Sequence, residues 1–149
     1  MSAQEPENDQ SAAILQNENI LRRILKNEDY YDPSLKIPIT SLAFRPNKKD
    51  LKGISVYRRN FIEPKTVADS GTNVKEYCVA QILVSDILSL NMNMSVVPDP
   101  LPPPNLPGHS AIPQLNINDY ESSQESKNKI KALQLALALL ASKAIVYSP

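Results

Sequence analysis

The sequence predicts an α+β domain in which N-terminal and C-terminal helices pack on a small mixed sheet. Three observations carry this expectation. AAILQNENILRRILKN, residues 12–27, spaces Ile14, Leu21, Ile24 and Leu25 near one helical face. Several runs from residue 37 to residue 115 are β-branched or aromatic at many positions. SKNKIKALQLALALLAS, residues 126–142, is dominated by Leu, Ala, Lys and Gln, with no Gly or Pro.

Taken in order, residues 1–11 are rich in Gln, Glu, Asn, Asp and Ser and read as a disordered acidic tail, leaving residues 12–149 as a single domain. The first helix should fade by Asn27, because EDYYDP carries turn chemistry and Pro33 cannot continue it. IPITSLAF, residues 37–44, reads as an edge or irregular strand because of Pro38. GISVYRRNFI, residues 53–62, reads as a strand with Ile54, Val56 and Arg58 on one face and Ser55 and Tyr57 on the other. In EPKTVADSG, Pro64 suits a first helical position and Gly71 a stop.

YCVAQILVSDILSLNMNMSVVP admits one long helix, or a strand over 77–82, a short helix over 84–90 and a strand over 94–97; the continuous apolar start favours the second. HSAIPQL reads as a further strand. NINDYESSQES is a polar linker with Ser122 and Glu125 at capping-box spacing, and AIVYSP is a terminal strand. On the last helix, Ile130, Leu133, Leu137 and Leu140 form the inward face, and Leu135 and Leu139 fall elsewhere.

Composition narrows function more than it defines it. Sixteen basic residues balance sixteen acidic ones, so the chain lacks the net field that draws a protein to nucleic acid or an anionic membrane. The clusters Arg22-Arg23, Lys48-Lys49 and Arg58-Arg59 are short and read as solvated surface charge. With no Trp and two Phe, a base-stacking surface has little support, and nucleic acid is not an expected partner. No uncharged apolar run approaches the roughly 20 residues of a membrane helix, and the polar start is unlike a secretory signal. Cys78 is the single cysteine, which excludes an intramolecular disulfide and a cysteine-based zinc site. The expected compartment is the cytoplasm; no cofactor and no metal are expected.

A series of short segments resembles a group of small uncharacterised bacterial proteins: LRRIL (Leu21–Leu25), SLAF (Ser41–Phe44), GISVYR (Gly53–Arg58), YCVAQI (Tyr77–Ile82), VVPDP (Val96–Pro100) and PGHSAI (Pro107–Ile112). The similarity runs over Leu21–Leu115 and implies a compact α+β unit. It implies no reaction or ligand, and the loop with Pro102, Pro103 and Pro104, the acidic head and the Leu-rich helix depart from the shared pattern.

Candidate sites follow from residue chemistry. His109 is the single histidine and follows six of the seven prolines between Pro98 and Pro113. A stiff loop could aim its imidazole as a general base, with Asp99 orienting the ring and Arg58 meeting an anionic substrate. The plainer reading is a histidine hydrogen-bonded in a crowded loop. Cys78 sits in an apolar run and reads as a core residue; a Cys78–His109 dyad would require their elements to be neighbours. Glu28, Asp29 and Asp32 form an acidic knot that turn chemistry explains as well as cation binding. Pro100–Pro103 has P-x-x-P spacing, which favours either a polyproline ligand or a stiff loop within the domain.

The expected function is a non-catalytic cytoplasmic subunit, accessory, regulatory or immunity-type, that self-associates or binds a partner protein encoded nearby. Leu135, Leu139 and Pro102–Pro104 are its expected contact residues. The alternative is a small hydrolase or transferase built on His109, Arg58 and Asp99.

Overall fold

A computed structural model describes residues 9–71 and 76–149 of the chain. Its centre is an antiparallel sheet of six strands: β1 (Asn19–Leu25), β2 (Ile54–Arg58), β3 (Tyr77–Leu83), β4 (Val97–Pro98), β5 (His109–Ile112) and β6 (Ile145–Tyr147). Their spatial order is β4-β5-β2-β1-β3-β6. Among the described residues, four α-helices accompany them: α1 (Pro64–Asp69), α2 (Val84–Ser89), α3 (Ile117–Ser122) and α4 (Gln124–Ala141). The α+β class is as the sequence predicts, with the C-terminal helix packed on the sheet.

Three expectations are corrected. Every strand pair is antiparallel, so the sheet is not mixed. The predicted N-terminal helix is instead β1, a central strand paired with β3 over its whole length. NILRRIL serves either period: it buries Ile20 and Ile24 against α4's layer and Leu21 against the opposite layer. β3 pairs its backbone over the whole strand and β2 adds pairing at Ile20 and Leu21, and that tertiary gain outweighs local helix propensity. Residues 37–44 form no strand in the main sheet; Ile39 makes one isolated bridge to Tyr31, and Ser41–Phe44 is a 3₁₀ turn.

Of the other local signals, several hold with small shifts and one helix, α3, is an addition to the reading. Pro64 opens α1, and the strand–helix reading of residues 77–90 is right. The strand expected over 94–97 is reduced to Val97–Pro98. The polar linker contains α3, and the cap of α4 is Ser123 rather than Ser122, its side chain accepting from the Ser126 N–H. The proline segment connects two paired antiparallel strands, β4 and β5, so it is a hairpin connection within the domain.

The sheet is covered on both faces. Ile130, Leu133, Leu137, Ala138 and Ala141 of α4 join Ile20, Ile24, Ile54, Val56, Cys78, Ala80 and Ile82 in the larger cluster, together with Phe44 of the 3₁₀ turn. Val67 and Ala68 of α1 pack with Leu21, Ile62 and Val79 on the other face. The acidic tail predicted for 1–11 falls mostly outside the described residues. Gln10, at its end, is docked: its side-chain oxygen accepts from the Gly108 N–H at 2.8 Å. The docked chain therefore starts earlier than residue 12.

Candidate functional site

His109 is held in the sheet rather than carried on a free loop. It lies directly opposite Tyr57 in the β2–β5 pairing, and the two rings meet edge to face at 5.5 Å. Gly108, just before it, has φ +80, a conformation that favours glycine, and its carbonyl accepts from the Arg58 N–H. His109 Nδ1 is 2.8 Å from the Asp99 main-chain oxygen and 3.5 Å from its carboxylate. Because a carbonyl only accepts, Nδ1 carries a proton, which leaves Nε2, 2.9 Å from the Ser55 Oγ, as the ring nitrogen able to accept from that hydroxyl.

Asp99 thus orients the ring as the sequence suggests, mainly through its backbone. Ser55 is the residue that sequence reasoning missed. It shares the Tyr57 face of β2 and lies diagonal to His109 across the strand pair, so only the β2–β5 register brings the two together. The result is a hydroxyl, an imidazole that can accept its proton, and a group that fixes the ring. Ser55 also lines a cleft of about 690 Å³ with Arg22, Tyr30 and Lys48.

Arg58 is not part of this group, which corrects the expected trio. Strand alternation turns its side chain to the face opposite Tyr57 and His109. There it makes a two-pronged ion pair with Glu18, both contacts at 2.8 Å, and donates to the main-chain oxygens of Gln10 and Ala12. Its guanidinium also lies 5.0 Å from the centre of the Phe61 ring. The two charged side chains are only 5% and 4% exposed, so Arg58 has no free edge for a substrate anion. Burial alone would raise the Glu18 carboxyl. The hydrogen bonds from Arg58 and the Leu15 N–H, with the guanidinium charge, outweigh it and hold the group below its ordinary value of 4.5.

Cys78 is a core residue, and burial pushes its thiol up to about 11. Strands β2 and β1 lie between β5 and β3, a separation of roughly 14 Å at ordinary strand spacing, so no Cys78–His109 dyad forms. In the acidic knot, Asp32 caps its own turn by accepting from Ser34. Among the described residues, no group of three His, Cys, Asp or Glu could hold a metal ion.

The expected contact residues are at the surface. Pro102, Pro103 and Pro104 are exposed. Leu135 and Leu139 are 55% and 41% exposed, while Leu133 and Leu137 are buried. No family model, curated protein or solved structure matches the chain. Among the described residues, no helix is long and apolar enough to cross a membrane.

Proposed function

We propose that the chain is a non-catalytic, cytoplasmic interaction subunit of a bacterium, accessory, regulatory or immunity-type, that docks a partner protein on the outer face of α4. The observation that carries this reading is the Leu135–Leu139 pair. The two residues are one turn apart on the longest helix among the described residues and remain exposed beside the buried Leu133 and Leu137. Apolar side chains aligned on a helix are natural anchors for a second helix or a groove. The exposed prolines of the β4–β5 connection add a stiff surface whose ordering entropy on binding is low.

The test is the double change Leu135→Ala and Leu139→Ala. Folding should be retained, since surface truncations usually move stability by about 0.5 kcal/mol or less. Sedimentation velocity should show loss of self-association, or co-purification with the product of a neighbouring gene should fail. Unchanged association would remove the support for this face.

A second reading is favoured by the Ser55–His109–Asp99 arrangement: a small hydrolase or transferase with Ser55 in place of Arg58. The Ser55 hydroxyl would attack an ester carbonyl while His109 Nε2 takes its proton; the ester C–O bond would break, the departing oxygen would take that proton, and water would then release the acyl group from Ser55. Nitrophenyl acetate turnover that Ser55→Ala abolishes would support it; turnover indifferent to that change would sink it.

A further inference from the structure

Two of the three short basic clusters read from the sequence as surface charge, Arg22-Arg23 and Lys48-Lys49, converge on one place. Strands β1 and β2 pair only at Ile20–Arg58 and Leu21–Tyr57, then part. The cleft of about 690 Å³ is lined by residues from both strands and from the 45–50 segment, and its size is within the range that holds small ligands. Arg22, Arg23, Arg45, Lys48 and Lys49 line it, with Asp50 as the single carboxylate. In a chain of no net charge, that is a local concentration of positive charge.

Neither Asp50 nor any other described carboxylate forms an ion pair with these five cations. The Asp50 side chain accepts from the Asn47 N–H and fixes its own turn. Arg22 and Arg23 are held in place. Arg22 donates from Nε and Nη2 to the Ala43 carbonyl and from Nη1 to the Ser55 carbonyl, and its guanidinium stacks 5.6 Å from the centre of Phe44. Three of the five N–H groups of the guanidinium are thereby engaged, and the other two have no acceptor among the described residues. Arg23 is anchored to Val67 and Ser70 and stacks on Tyr77. Burial lowers the Arg22 guanidinium to about 10, where it is still charged at neutral pH.

We propose that this cleft binds a phosphate-bearing small ligand of about mononucleotide size, with Arg22 as its fixed donor and Arg45, Lys48 and Lys49 as its mobile rim. A single carboxylate would leave most of the positive charge unanswered; a phosphate or diphosphate carries charge enough to meet it. Tyr30 and Tyr77 at the wall supply surface for an attached ring. This inference is independent of the α4 docking face and of the Ser55 reading.

The experiment is calorimetric titration of the whole chain with AMP, inorganic pyrophosphate, adenosine and a twelve-residue oligothymidylate. AMP and pyrophosphate should bind with dissociation constants below about 1 mM, and added salt should weaken both. The triple change Arg45→Ala, Lys48→Ala and Lys49→Ala alters exposed side chains and should weaken both by about tenfold or more, with the thermal midpoint retained. Adenosine binding as well as AMP would overturn the role of phosphate. Tighter binding of the oligonucleotide than of AMP would overturn the small-ligand assignment in favour of a nucleic-acid track. No binding of AMP or pyrophosphate, or unchanged binding by the triple variant, would overturn the site.

Discussion

Arg58→Met is expected to destabilise the fold by about 3–5 kcal/mol, the range for removing one member of a buried ion pair. The cost comes from the groups left behind. Glu18 would remain buried with two oxygens that had accepted from the guanidinium, and the Gln10 and Ala12 carbonyls would lose their donor. Because Arg58 ties residues 10–18 to β2, the same change should expose backbone amides of that segment to hydrogen exchange. Urea denaturation gives the magnitude, and an unchanged midpoint would show that the ion pair is not formed in solution. The pair also sets an acid limit. The folded Glu18 carboxyl is held below 4.5, so its contribution is present above that value and is lost as pH falls through the depressed folded value. Glu18→Gln should flatten this part of the acid limb.

Leu133→Ala combined with Leu137→Ala should have an effect at least as large. Each buried Leu→Ala truncation typically costs about 2–5 kcal/mol, against about 5–15 kcal/mol of total stability for a domain. Both side chains belong to the cluster that joins α4 to the sheet, and Leu137 is wholly buried. The double variant should therefore be largely unfolded at ambient temperature, while Leu135→Ala with Leu139→Ala folds normally. Far-ultraviolet circular dichroism and a thermal scan compare the two. Equal stability of the pairs would contradict the assignment of the inward face of α4.

The contrast between those leucines was legible in the sequence, since the 3.6-residue period of one uninterrupted helix assigns its faces without outside help. The same local character made α1 readable from Pro64 and β2 readable from the alternation of Ile54, Val56 and Arg58. Residues 19–25 show the opposite case. NILRRIL has apolar residues compatible with either period, and its strand identity comes from β2 and β3, neither of which is local to it.

The candidate site divides in the same way. His109 and Asp99 could be paired from the sequence because both lie near one proline-rich connection. Ser55 could not, because its contact depends on the β2–β5 register, 54 residues away in the chain. Arg58 and the two basic clusters at 22–23 and 48–49 were read as free surface charge. The fold instead buries Arg58 against Glu18 and gathers the other two around a cleft where β1 and β2 part. By itself, the sequence determined the α+β class, the extents of α1 and α2 to within a residue or two, and the faces of α4, since prolines and periodicity act within a few residues. Only the tertiary structure decided which strands are neighbours, which charges are neutralised and which hydroxyl meets the histidine. Those outcomes depend on long-range register and burial, which no short stretch of the sequence encodes.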